Sequence, residues 1–312
     1  MKNVAPIVLF VYNRPKHTKK TVEALLRNQL AGESDLYIYS DAPKNYQHMD
    51  DVKAVREYID QISGFKSVTI IKRQKNWGLA ASVIDGVTSI IHKHGSVIVL
   101  EDDLVVTPYF LDYMNTGLNL YQNEKKVFGI TGYFDCSGQI DVLPESFFLP
   151  ISSSWTWATW ADRWSKFDEK AIGWQELLTN RKLKKSFDFH NSLGRAQTLI
   201  NQMQGIINSW WIRWEWTIFQ NHGLYLTPKY SLCSNNGFDG TGEHCGYNEN
   251  KTKEIVYDGR VTEYPSTIGR DQKIEKKIVC KLKQQYYRYK LGRLKYYVSR
   301  PTLLVKKIRE KQ

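Results

Sequence analysis

Cysteine is scarce in this chain. Its four residues, Cys136, Cys233, Cys245 and Cys280, lie far apart and none forms a Cys-x-x-Cys pair. That excludes a disulfide scaffold and predicts reduced thiols. Long apolar runs are also missing. The longest, Ile7 to Val11 and Val97 to Leu100, have the length of a strand, far short of the roughly 18 residues of a spanning helix. Met1 to Pro6 leads directly into the first of these runs, without the apolar region and cleavage site of a signal peptide. A cytoplasmic location is the expectation. No internal repeat is visible. With 42% hydrophobic and 24% charged residues, the composition is that of an ordinary globular protein, and disorder or a collagen-like repeat is excluded for the chain as a whole.

What is present is a chain of 312 residues, enough for one large domain or two moderate ones with a substantial core. Its formal net charge of +12 is unevenly placed. Residues 270–312 carry 15 Lys and Arg against 3 Asp and Glu, whereas residues 1–269 carry 29 of each. The basicity belongs to a tail. A nucleic-acid enzyme with a basic cleft is disfavoured, and no nucleic-acid partner is expected.

The first 135 residues alternate two periodicities. Pro6 to Tyr12 is an unbroken apolar run, as a parallel strand buried on both faces requires. Asn13-Arg14-Pro15 breaks it, and Pro15 suits the first position of a helix reaching about Asn28. Strands are predicted at 35–41, 67–72, 96–100 and 127–131. Helices are predicted at 50–62, 78–94 and from a Thr107-Pro108 cap to about Glu124. This order implies an α/β/α sandwich of Rossmann-like type with a mostly parallel sheet. Residues 1–133 form the expected nucleotide-binding half, 134–268 an acceptor-binding half with a donor loop, and 269–312 a basic helical tail.

Ligands of such sheets bind beyond the carboxyl ends of the strands. The polar clusters fall there: Asn13-Arg14, Ser40-Asp41 and Glu101-Asp102-Asp103. Carboxylates at a strand end suit Mg²⁺ or Mn²⁺, hard cations that bridge to phosphates; the alternative is a solvated turn. Asp41 could accept from a nucleobase or ribose, or simply cap the turn before Pro43. Arg14 could hold a phosphate, pin Asp41 or lie on the surface.

Nine of the ten Trp lie between Trp155 and Trp216. Too many for one site, most must pack the core, although a sugar ring can rest on an indole face. Glu215 sits between Trp214 and Trp216. A carboxylate among aromatics can act as a general base, or serve as the partner of a basic group such as Arg213. Ser231 to Gly246 is rich in Gly, Asn and Ser and reads as a loop. Its His244 would suit a lid over a diphosphate.

Several of these segments occur in the order found in a known family. They are Phe10-Val11-Tyr12-Asn13-Arg14-Pro15, Ser40-Asp41, Asn76-Trp77-Gly78-Leu79, the stretch from Glu101 to Met114, Trp157-Ala158-Thr159-Trp160, and Gly237 to His244. Over about residues 5–246 the chain resembles the GT-A nucleotide-sugar glycosyltransferases, including bacterial family-2-like sugar transferases and enzymes of the N-acetylglucosaminyltransferase I type. The resemblance implies a metal-dependent transferase that moves a sugar from a UDP-sugar, with UDP-GlcNAc as a candidate donor, to a glycan or lipid-linked acceptor. Bacterial surface polysaccharide synthesis would be its setting, with inversion at the anomeric carbon.

The resemblance also implies roles. Asp103 would ligate the metal, and Glu101 and Asp102 would contact the sugar, the ribose or metal waters. Asp41 would read the base, Arg14 would brace Asp41 and the nucleotide, and Asn76 falls near a nucleotide-contacting position. Where relatives carry an Asp after a Trp, this chain has Trp211. Glu215 is the nearest carboxylate and so the first candidate base, with Asp239 in reserve. A nucleotidyltransferase is disfavoured because the turn after the first strand has no glycine. A non-catalytic carbohydrate-binding protein is the other alternative. The tail's Tyr286, Tyr287, Tyr289, Tyr296 and Tyr297, interleaved with Lys and Arg, suit an anionic membrane surface and a peripheral place at the inner face of the plasma membrane. Packing on the body is the competing reading.

Overall fold

The computed structural model describes residues 4–239 and 256–298, with side chains as far as residue 288. The strands are β1 (Ile7–Val11), β2 (Asp35–Ser40), β3 (Ser67–Lys72), β4 (Ser96–Glu101), β5 (Leu104–Val106), β6 (Val127–Thr131), β7 (Ser146–Leu149), β8 (Thr156–Trp160), β9 (Leu224–Pro228) and β10 (Cys233–Asn235). The helices are α1 (Pro15–Leu26), α2 (Met49–Ile59), α3 (Leu79–His94), α4 (Phe110–Tyr121), α5 (Ala161–Trp164), α6 (Glu176–Thr179), α7 (Arg181–Phe187), α8 (Arg195–Met203), α9 (Trp210–Gln220) and α10 (Gln272–Val298).

One eight-stranded sheet runs in the order β3-β2-β1-β4-β8-β6-β9-β7. Strands β1 to β4 are parallel, and β8 and β7 run against their neighbours. The mostly parallel α/β sandwich is as the sequence predicts. Every residue of β1 is buried because helices cover both faces. On one face α1 and α4 pack Leu25, Phe110 and Met114 against Leu9, Leu100 and Ile130. On the other, α3 and α9 pack Val83, Val87 and Trp214 against Phe10, Val99 and Trp157. The sheet does not stop at residue 133, since β8 inserts between β4 and β6.

Two local expectations are corrected. Thr107-Pro108 does not cap α4. The Thr107 amide donates to the Leu232 carbonyl, the Thr107 carbonyl accepts from the Phe110 amide, and the helix starts after that turn. The segment read as loop from Ser231 contains β10, which pairs antiparallel with β5. This small second sheet seats residues 233–239 beside the acidic turn.

Helix α10 packs through Ile278 and Leu282 onto Phe134, Phe147, Leu149 and Phe189. The Gln285 amide donates to the Asp135 carbonyl at 3.0 Å. The start of the basic tail is therefore docked on the body. Tyr286 is half-buried and Tyr287 exposed, while the side chains of Tyr289, Tyr296 and Tyr297 lie outside the described residues. Among the described residues, no helix is long and apolar enough to cross a membrane.

Candidate active site

The carboxyl ends of β1, β2 and β4 open into a cleft of about 290 Å³. Phe10 and Tyr39 are among its lining residues, and their largely buried rings stack on each other at 5.5 Å. Gly86 of α3 makes this possible, because a Cβ there would lie 2.9 Å from the Phe10 ring. One end of the cleft holds Arg14, Glu101, Asp102 and Asp103. The other holds Asp41, Asn76, Gly78, Leu79 and Ser82.

The acidic turn follows from β4 running out. Its apolar register with β1 ends at Phe10 opposite Glu101, and the chain turns through Asp102 and Asp103 into β5. Both Asp are buried. The Arg14 guanidinium donates to Asp102 and lies 3.1 Å from Asp103 Oδ2. The expected brace on Asp41 is thus replaced by a pair of acidic contacts one strand away. Burial would depress Arg14, but Asp102 and Asp103 outweigh it and hold the guanidinium firmly protonated. Burial, then the charges of Asp103 and Asp102, push Glu101 up to about 8. Burial raises Asp102 to about 6 against the pull of Arg14. One guanidinium therefore under-neutralises three carboxyl groups.

That donor chemistry fits a hard divalent cation. Among the described residues, no three His, Cys, Asp or Glu side chains converge as a cage. A Mg²⁺-like ion commonly takes one or two carboxylates and completes its shell with phosphate oxygens and water, which is what this turn can offer.

Asp41 turns its carboxylate to the backbone. It accepts from the amides of Ala42 (2.9 Å), Trp77 (2.9 and 3.1 Å) and Gly78 (2.8 Å). Asn76 Nδ2 donates to the Ala42 carbonyl at 2.7 Å. Together they fasten the loop before α3 to the end of β2. Arg56 supports the same corner by donating to the carbonyls of Asp41 and Arg73. The sequence reading missed Tyr12, Lys44, His48 and Ser82. The Tyr12 hydroxyl bonds His48 Nδ1 at 2.7 Å and accepts from the Lys44 amide at 2.8 Å. This brings an exposed Lys and a His to the rim. Tyr12 follows directly on β1, and that position was the one available signal.

A family-level comparison falls on this half of the chain. The GNT-I family model matches residues 1–147. An alpha-1,3-mannosyl-glycoprotein 2-beta-N-acetylglucosaminyltransferase of Arabidopsis thaliana is 24% identical over 187 residues, covering 55% of this chain and 40% of that enzyme. The chain thus spans about two-fifths of the length of that curated relative. Among solved structures, S. aureus TarS aligns over 45% of this chain and 23% of its own, at 10% identity and TM-score 0.30. The 4-diphosphocytidyl-2C-methyl-D-erythritol synthase of Anaerococcus prevotii aligns over 80% of this chain and 95% of its own, at 7% identity and TM-score 0.39.

The GNT-I match contains Arg14, Asp41, Asn76 and the acidic turn, whereas the candidate bases lie beyond it. Glu215 is buried in α9 and does not line the cleft. It accepts from the Ser152 amide at 2.7 Å, from the Ser152 hydroxyl and from the Arg195 guanidinium. Burial raises its pKa against these contacts. In the structure it forms the anionic half of a buried pair, the structural alternative the sequence left open, with Arg195 rather than Arg213 as partner. The indoles around it are equally committed. Trp214 donates to the Tyr225 hydroxyl at 2.7 Å and Trp216 to the Ile172 carbonyl at 2.9 Å.

Asp239 does not line the cleft either, but its turn adjoins the acidic turn. Its carboxylate is exposed and lies 3.0 Å from His17 Nε2. It closes a short turn, Asn236–Asp239, which hangs from the acidic turn by the Asn236 amide donating to the Asp103 carbonyl. Gly237 fits tightly there, since a Cβ would fall 2.3 Å from Asp103 Oδ2. Half-buried Trp155 packs on Tyr133 and on Phe238 beside Asp239. His244 and Cys245 lie outside the described residues.

Proposed function

We propose that this protein is a glycosyltransferase that takes a sugar from a nucleoside-diphosphate donor, with UDP-sugar, and UDP-GlcNAc among them, as the donor class to test first. The observation that carries this reading is the partly neutralised acidic turn Glu101-Asp102-Asp103 at the end of β4, facing Arg14 in the GNT-I-like half. Displacing a nucleoside diphosphate leaves charge on the departing phosphate. Mn²⁺ or Mg²⁺ held at Asp103 would neutralise it. Arg14, already committed to Asp102 and Asp103, would adjoin the same phosphates.

Asp239 is the carboxylate we assign as general base. In a direct displacement it takes the proton of the acceptor hydroxyl as the new bond to the anomeric carbon forms and the bond to phosphate breaks. Attack opposite the leaving group inverts the configuration. Asn76 and Asp41 act by holding the donor side of the cleft in shape. Trp155 and Phe238 offer a face for the acceptor, a glycan or lipid-linked saccharide, and bacterial surface polysaccharide synthesis is the proposed setting. The part of α10 beyond Gln285 is the segment to meet an anionic membrane surface, and the first turns serve as its mount.

The test is release of UDP from a panel of UDP-sugars with Mn²⁺, with and without saccharide acceptors. Asp103→Asn should abolish turnover and Asp239→Asn should lower it by about 10²–10⁴-fold. Full activity of Asp103→Asn would remove the basis of the reading.

A further inference from the structure

A second pocket, of about 590 Å³, lies between α7 and α10. Lys185 and His190 line it from α7 and the loop that follows, and Arg270, Glu275, Lys276 and Lys283 from the start of α10. Lys185, His190 and Lys276 are exposed and Lys283 is half-buried. The carboxylates nearby are spent elsewhere. Glu275, the one acid in the lining, is buried and takes the Arg270 guanidinium on its two oxygens at 2.6 and 2.7 Å. Asp271 caps α10 by accepting from the amides of Lys273 and Ile274 at 2.8 and 3.1 Å. Asp188 turns inward to the Arg195 amide at 2.7 Å. The side chains of Lys185, His190, Lys276 and Lys283 have no hydrogen-bond or ion-pair partner among the described residues. Three ammonium groups and an imidazole thus line one concavity without a counter-charge, and like charges so placed repel one another. The loop that carries His190 is also strained. Phe189, His190 and Asn191 have φ +43, +62 and +60, a left-handed run that side chains avoid. Phe189 is buried in the cluster under α10, and the His190 amide donates to the Lys185 carbonyl at 2.9 Å. These contacts hold the strain and fix His190 at the rim.

We propose that this pocket binds a phosphate group, that of an anionic lipid headgroup. Ammonium groups on flexible stems meet a phosphate as point charges, and the imidazole adds an N–H donor. Continuity selects the lipid as the source. Nine of the 15 Lys and Arg in residues 270–312 follow Lys283 in the chain, against a single acid, so the pocket opens the basic stretch. A membrane surface offers phosphates to the pocket and to that stretch at once. No residue of the pocket lines the donor cleft, so the site is separate from the one that would hold the nucleotide. The choice of a lipid rests on the proposed meeting of α10 with an anionic surface, whereas the phosphate site itself does not.

The experiment compares three full-length proteins: wild type, a pocket double Lys185→Gln with Lys276→Gln, and a control double Lys182→Gln with Lys277→Gln. The control removes the same charge from the same two helices, at exposed positions outside the pocket. One arm titrates inorganic pyrophosphate by calorimetry in a chelator. The other measures cosedimentation with phosphatidylcholine vesicles, with and without phosphatidic acid. The pocket double should weaken both by about tenfold or more. The control double should keep the pyrophosphate affinity of wild type and lose less vesicle binding than the pocket double. Without ligand, the melting temperature of the pocket double should stay level or rise, because repulsion is relieved. A selective loss in the vesicle arm alone also supports the lipid. A selective loss for pyrophosphate, with equal vesicle binding in the two doubles, keeps the phosphate site and overturns the lipid as its source. If wild type takes up pyrophosphate through the pocket but ignores the vesicles, the membrane reading of α10 fails and the phosphate site stands. Equal losses in the two doubles in both arms, wild-type binding in neither arm, or a lowered melting temperature of the pocket double would overturn the proposal.

Discussion

Replacing Glu215 by Gln distinguishes a buried structural pair from a catalytic base. Glu215 is 2% exposed and Arg195 4% exposed. The carboxylate takes the guanidinium on one oxygen and the amide and hydroxyl of Ser152 on the other. Arg195 also donates to the Ser152 carbonyl at 3.0 Å and sits over the Trp211 ring. Glutamine preserves the shape but removes the charge, so the guanidinium is left buried and uncompensated. Breaking such a pair from one side costs about 3–5 kcal/mol. Urea unfolding should show that loss for Glu215→Gln and a similar one for Arg195→Met. The double variant should lose less than the two combined, because no orphan charge remains. Turnover per folded molecule should stay within a few-fold of wild type. A Glu215→Gln protein of full stability whose turnover falls about 10²–10⁴-fold would refute this reasoning and restore Glu215 as the base.

Three other outcomes follow from the geometry. Gly237→Ala should displace the Asp103 carboxylate, because its Cβ would meet Oδ2 at 2.3 Å; Mn²⁺ affinity read by electron paramagnetic resonance should drop about tenfold with the fold intact, and unchanged affinity would contradict the contact. Gly129→Ala places a Cβ 2.5 Å from the Ala158 carbonyl and the Tyr225 ring, so urea unfolding should register a loss of about 1–3 kcal/mol. Glu101 at about 8 and Asp102 at about 6 lie above their ordinary values, so between about pH 4 and 8 the folded protein holds more protons than the unfolded chain. Stability in a chelator should therefore fall as the pH rises through that window and level off above it, with a smaller fall in Glu101→Gln; a fall equal to wild type in that variant would contradict the assignment.

The parallel half was legible because buried strands leave unbroken apolar runs. Ile7 to Val11 and Val97 to Leu100 stand out in any reading, and Gly95 ends α3 in the left-handed region, as its residue type suggests. The acidic turn was legible because polar residues directly after such runs stand at the mouth of the sheet. What escaped was set by distant partners. Arg14 could have faced Asp41 or the acidic turn, and only the packing of α1 decides. Strands β5 and β10 have three residues each, too short for a period to show, and exist because they pair across more than a hundred residues. Glu215 among tryptophans looked like a tuned base, but its partner Arg195 lies on another helix.

In the proposed function the cleft holds a nucleoside diphosphate through a divalent cation at Asp103. Calorimetric titration of UDP with Mn²⁺ and again in a chelator, on wild type and Asp103→Asn, tests it directly. Binding should require Mn²⁺ in wild type and be lost in Asp103→Asn. Equal UDP affinity with and without the cation, or in the two proteins, would contradict it.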